Sequence, residues 1–153
     1  VLQRVVALIA SEHREAVKLI RDYDPSLPPL SADPDQLIQA LLNITRNAVQ
    51  SIAQDGHVIF RTRALTNFPI GAIRHKLVLS IEIEDNGPGV PADLAESIFY
   101  PLVTGRPDGT GLGLPISQDL VSRHGGLIEY QSRPGRTVFT VRLPAVAPAP
   151  EVA

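Results

Sequence analysis

The alternation in Leu77-Val78-Leu79-Ser80-Ile81-Glu82-Ile83-Glu84 predicts a half-buried strand with Leu77, Leu79, Ile81 and Ile83 on one face. Continuing the two-residue period places Asp85 on that same apolar face. A carboxylate aimed inward is costly unless something donates hydrogen bonds to it. No neighbour in sequence offers an obvious donor, which makes a ligand the expected one. A helical period takes over between Asp33 and Ala53. Asp33 is the expected N-cap, Pro34 the first helical residue, and Gln36 the partner that completes a capping box. Leu37, Ile38, Leu41, Leu42, Thr45, Ala48, Val49, Ile52 and Ala53 then form one apolar stripe. Asn43 and Asn47 lie one turn apart on roughly the opposite side, and Asp55-Gly56 ends the helix.

Weaker patterns complete the chain. Leu2, Val5, Val6 and Ile9 mark a short amphipathic helix, and a strand follows from Ala16 to Tyr23. His57 to Leu65 reads as the strand preceding the alternating one. The stretch between them, with Asn67, Pro69 and Gly71, reads as a long loop. A short helix over Ala92 to Ile98 leads to Phe99-Tyr100-Pro101-Leu102 and a flexible segment, Val103 to Thr110. Leu114 to His124 is a helix stopped by Gly125-Gly126. Leu127 to Gln131 and Thr137 to Leu143 form a last strand pair around Arg133-Pro134-Gly135. Helices mixed with hairpin-linked strands predict an α/β two-layer sandwich, with helices on one face of a mixed, mostly antiparallel sheet. One domain spans residues 1–143, and the proline- and alanine-rich end, 144–153, is expected to be disordered.

Composition removes several function classes. The chain has 153 residues, 44% of them hydrophobic and 20% charged, which suits a soluble domain with a real core. A net charge of −2 argues against a nucleic-acid partner, and cysteine is absent, which excludes thiolate metal sites and cysteine nucleophiles. No apolar run reaches the roughly 18 residues of a membrane span, so a cytoplasmic protein without membrane contact is expected. The lack of methionine, position 1 included, implies a piece of a longer chain.

Two glycine clusters carry the chemistry. Asp85-Asn86-Gly87-Pro88-Gly89 follows the alternating strand, and its glycines let backbone approach a ligand closely. Gly109-Thr110-Gly111-Leu112-Gly113-Leu114 leads into a helix, whose first free N–H groups attract phosphate. An isolated G-x-G-x-G is as well explained by a flexible loop and helix cap. No P-loop pattern occurs. Gly87-Pro88-Gly89-Val90-Pro91-Ala92 matches a dinucleotide fingerprint by letter only, because two prolines would break the helix start that must hold the pyrophosphate. Asn43 and Asn47 are polar on an otherwise well-built helix, and their amide oxygens suit a hard cation such as Mg²⁺ beside phosphate.

Together these segments resemble the sensor histidine kinases. Asn43-Ile44-Thr45-Arg46-Asn47-Ala48 is similar to their N box, and Asp85-Asn86-Gly87-Pro88-Gly89 to their G1 box. Phe99-Tyr100-Pro101-Leu102 is similar to the F box, and Gly109 to Leu114 to the G2 box. The resemblance runs from about Val17 to Pro144, and Arg21-Asp22-Tyr23-Asp24-Pro25-Ser26-Leu27-Pro28 points within it to the nitrogen-regulation branch. It implies the Bergerat-type ATP-binding fold shared with gyrase, Hsp90 and MutL, with ATP and Mg²⁺ as cofactors. By that resemblance Asp85 accepts from the adenine amino group, Thr137 helps hold adenine, and Asn47 ligates Mg²⁺ with Asn43 in support. Gly87 and Gly89 are expected among the nucleotide-binding residues. Gly109, Gly111, Gly113 and Leu114 wrap the phosphates, and Phe99 anchors the lid or simply fills the core. Where many members carry a lysine, Gln50 stands here, leaving Arg46 and Arg106 as cations for phosphate, with Arg106 expected on the γ-phosphate. Arg136 also replaces the glycine usual before Thr137.

The resemblance also sets expectations for activity. Hydrolysing members carry a general-base glutamate where Asn43 stands, and an amide cannot take the proton, so presentation of the γ-phosphate to another domain is expected. None of His13, His57, His75 or His124 sits in a phosphoacceptor motif. The expected partners are therefore a separate histidine-bearing dimerisation domain, a response regulator and a PII signalling protein. A nucleotide-gated interaction module without chemistry of its own is the alternative.

Overall fold

The computed structural model of the chain describes residues 2–12, 17–25, 27, 32–50, 52, 56–88 and 113–145. Its elements are α1 (Leu2–Glu12), β1 (Val17–Asp22), α2 (Pro34–Gln50), β2 (Gly56–Ile70), β3 (Ile73–Asp85), α3 (Gly113–Arg123), β4 (Leu127–Arg133) and β5 (Arg136–Pro144). The expected helix at 92–98 lies outside the described residues. One mixed sheet runs β1-β2-β3-β5-β4. β1 is parallel to β2, and the remaining pairs are antiparallel. No helix of the described residues is long and apolar enough to cross a membrane.

Pairing register explains the core. Phe60 opposes Ile83, Ile83 opposes Phe139, and Phe139 opposes Tyr130, so one apolar row crosses four strands. A second row joins Ile81, Val141 and Ile128. The three helices cover this face, burying Val5, Val6 and Ile9 of α1, Leu41 and Ile44 of α2, and Val121 of α3. Helix α2 is buried over more than the expected stripe: Ala40 and Ile44 are also fully enclosed. The reason is α3, which packs alongside and sends the Ser117 hydroxyl to the Ala40 carbonyl at 2.9 Å.

The start of α2 corrects one expectation. Asp33 does cap it, its Oδ1 accepting from the amides of Asp35 (3.0 Å) and Gln36 (3.2 Å). The reciprocal bond does not come from Gln36. The Asp33 amide donates instead to Nε2 of His124 at 3.1 Å. His124 Nδ1 lies 2.8 Å from the Leu120 carbonyl, which makes Nδ1 the protonated nitrogen and leaves Nε2 as acceptor. The imidazole reaches this place because α3 ends there in a full Schellman turn. Gly126 N bonds Val121 O, Gly125 N bonds Ser122 O, and Gly125 takes φ +72°.

The long loop expected between the central strands is itself strand. β2 and β3 pair out to Ile70 opposite Ile73, joined only by Gly71-Ala72. β1 ends opposite Arg61 and β5 opposite Val78, so the far part of this hairpin is a free two-stranded ribbon. Among the described residues neither edge is paired there, which suits Pro69 and lets Asn67 take φ 49°. The Phe68 ring in this ribbon meets the Arg142 guanidinium at 4.8 Å. The predicted tail begins too early as well. Pro144 opposes Val78 and the Ala145 amide donates to Leu77 O, while 146–153 lie outside the described residues.

Candidate functional site

Asp85 ends β3 on the helix-covered face, 2% exposed, as its period predicts. Its expected lack of a local donor is corrected: Oδ1 accepts from the Gly87 amide at 2.9 Å, closing an Asx turn. In the sheet Asp85 sits between Val58 of β2 and Thr137 of β5. Thr137 is 3% exposed, and its Oγ1 lies 2.8 Å from the Ser132 hydroxyl. Asp85, Gly87 and Thr137 are therefore brought together at one end of the sheet.

Two anchors of this turn escaped sequence reasoning. The Asn86 side chain accepts from the His57 amide at 2.9 Å, tying the turn to the start of β2. The Gly87 carbonyl accepts from Gly135 N at 3.0 Å, tying it to the β4–β5 turn. That turn places Pro134 before Gly135, whose φ of +87° suits the third position of a type II turn. The Pro-Gly pair was a visible turn signal, but nothing in it named Gly87 as its partner.

The exit of α2 lies against the same turn. A Cβ built on Gly56 would stand 2.9 Å from Asn86 Oδ1 and overlap the Ile52 side chain. This packing brings the C-terminal end of α2, which carries Arg46 and Asn47, to the Asp85 end of the sheet. Asn43, Arg46 and Asn47 are each half-buried on that helix. Asn43 Oδ1 accepts from Gln39 Nε2 at 3.0 Å. Gly113 opens α3, and Leu114 packs against the core behind it. Gly89, Phe99, Arg106, Gly109 and Gly111 lie outside the described residues.

Behind the turn, on the outer face of the sheet, Glu84 is 8% exposed. Its Oε1 receives Arg61 at 3.0 Å and both Nε and an amino group of Arg136, at 3.1 and 3.0 Å. Burial pushes the Glu84 carboxyl up, but the two guanidiniums outweigh it and hold the group below the ordinary range. The Glu84 bond in turn raises Arg61, against partial burial. Among the described residues no group of three or more His, Cys, Asp or Glu side chains could hold a metal ion.

A buried carboxylate thus stands at a glycine turn, opposite a threonine and beside an asparagine-bearing helix. Residues 32–147 match the family of histidine kinase-, DNA gyrase B- and HSP90-like ATPases, and the chain belongs to that family. Curated relatives narrow the branch. The chain is 50% identical over 145 residues to the sensory histidine kinase/phosphatase NtrB of Klebsiella oxytoca, covering 94% of this chain and 42% of that protein. It is 46% identical over 135 residues to NtrB of Rhodobacter capsulatus, with 85% and 37% covered. The chain thus spans less than half the length of these relatives. Among solved structures it resembles the nucleotide-free catalytic domain of histidine kinase ThkA with a TM-score of 0.78, 25% identity, and 94% and 89% coverage. Full-length ShkA in complex with AMPPNP matches with a TM-score of 0.77, 29% identity, and 95% and 30% coverage.

Proposed function

We propose that this chain is the ATP-binding catalytic domain of a sensor histidine kinase of the nitrogen-regulation type. It presents the γ-phosphate of Mg-ATP to a histidine on a separate dimerisation domain, for relay to a response regulator. The observation that carries the reading is Asp85. It is an acceptor sunk to 2% exposure in an apolar sheet face, beside the hydroxyl of Thr137. An adenine amino group supplies the donor that such an acceptor selects, and Thr137 meets a neighbouring ring nitrogen. The ShkA complex with an ATP analogue supports the ligand class.

The α2 amides fit a magnesium ion. They are hard oxygen donors, half-buried, on a helix without a competing acidic cluster among the described residues, so phosphate oxygens would complete the shell. Asn47 would hold the ion, with Asn43 steadied by Gln39 as the supporting amide. Bound there, Mg²⁺ neutralises charge on the phosphates during transfer. Arg46, on the same helix, and Arg106 are the cations assigned to the phosphates, Arg106 to the γ-phosphate. Asn43, an amide where hydrolysing members carry an acid, cannot take a proton from water, which favours transfer over hydrolysis. PII is the third proposed partner, through the relationship to NtrB.

The test is transfer of ³²P from Mg-ATP to the separately produced histidine-bearing domain of a close NtrB relative. Labelling of that domain in the presence of this chain is the expected result. Nucleotide binding without labelling would leave a nucleotide-gated interaction module instead.

A further inference from the structure

We infer that Arg136, held by the Glu84 carboxylate that Arg61 also binds on the outer face of the sheet, is a positioning residue for adenine recognition on the opposite face. The inference rests on the nucleotide reading above. Arg136 immediately precedes Thr137, and Glu84 immediately precedes Asp85. Successive residues of a strand point to opposite faces, so the pair behind the sheet mirrors the pair within the site. Asp85 opposes Thr137 in the β3–β5 register, and the Arg136 guanidinium closes on Glu84 with two contacts to one oxygen. Arg61 draws the same oxygen toward β2 at 3.0 Å, so three strands are cross-linked where the site lies.

The geometry gives this clamp something to hold. β5 begins at Arg136, directly after the Pro134-Gly135 turn, so Thr137 is its second residue and the Arg136–Glu84 contact ties the start of β5 to β3. Gly135, the residue before Arg136, donates the bond that fixes Gly87 O, and Gly87 N in turn fixes Asp85 Oδ1. A loose Arg136 therefore loosens both adenine-facing groups at once. Arg61 and Glu84 are largely shielded from solvent, with side-chain exposures of 27% and 11%, whereas Arg136 is 44% exposed. Replacing Arg136 thus opens no core cavity, and its variants are expected to fold.

The experiment compares the 153-residue chain with Arg136→Gly, Arg136→Lys and Glu84→Gln. Mg-ATP and Mg-GTP affinities are read by calorimetry well below each variant's melting temperature. Arg136→Gly and Glu84→Gln are expected to weaken ATP binding about 5- to 20-fold, as partial loss of oriented hydrogen bonds implies, and to narrow the ATP-over-GTP preference. Arg136→Lys, which keeps one charged contact, is expected to recover part of both. A purely structural clamp would lower the melting temperature while leaving ATP affinity and base preference unchanged in the folded variants, and that result overturns the inference. A parent chain that binds neither nucleotide overturns the nucleotide reading itself, and this inference with it.

Discussion

Asp85→Asn separates a binding role from a structural one, because the two properties should move in different directions. The amide has the same shape as the carboxylate, and its Oδ1 can still accept from Gly87 N, now 2.9 Å away. What changes is the other terminal atom, which becomes a donor where the proposed adenine amino group would need an acceptor. Losing a hydrogen bond to a charged acceptor costs about 1.5–3 kcal/mol. At about 1.4 kcal/mol per tenfold, the dissociation constant for Mg-ATP should rise roughly 10- to 150-fold. The unliganded protein should not suffer. A side chain 2% exposed between Val58 and Thr137 carries a desolvation cost as an anion that the neutral amide avoids. Titration calorimetry with Mg-ATP, paired with thermal unfolding in the absence of nucleotide, reads both quantities. An unchanged dissociation constant would refute the assignment. So would a loss of affinity that merely tracks a loss of stability, since Asp85 would then be a structural residue.

Four further outcomes follow from named contacts. The Glu84 carboxyl is held below its ordinary value of 4.5 in the folded state, so its contribution is fully present above that pH and is lost as pH falls through the depressed value. The urea midpoint should therefore fall less between neutral pH and acid pH below 4.5 for Glu84→Gln than for the parent. Phe139 is fully buried and stacked on Tyr130 at 5.6 Å, so Phe139→Ala should cost about 3–5 kcal/mol in urea unfolding. Asp33→Ala removes the side-chain cap of α2 and should cost about 1 kcal/mol by the same measurement, with the His124 contact to the Asp33 amide left in place. Arg106→Ala should slow phosphate transfer to the histidine-bearing domain more than it weakens ADP binding, and equal transfer rates would remove Arg106 from the γ-phosphate.

Local signals were enough for much of this protein. The two-residue period of β3 placed Asp85 on the inner face, and the cap at Asp33 with Pro34 marked the start of α2. The glycine clusters and paired asparagines identified the ATP-binding family before any contact was known, because such motifs are contiguous in the chain. Their physical basis, backbone approach and amide oxygens at fixed helical spacing, is equally local. What the chain could not disclose were contacts between elements distant in sequence. His124 displaces Gln36 as partner of the Asp33 amide across 91 positions, and only the docking of α3 on α2 brings it there. Asn67 and Pro69 signal a loop by composition, yet each strand of this ribbon carries a ladder on one side only among the described residues, which is where a strand accommodates proline. Ala40 and Ile44 looked peripheral to a single stripe until α3 covered them. The same holds for the clamp. Arg136 read as a departure from a glycine, and its meaning depends on strand register, which sets Glu84 and Arg61 around it and Asp85 against Thr137 on the far side of the sheet.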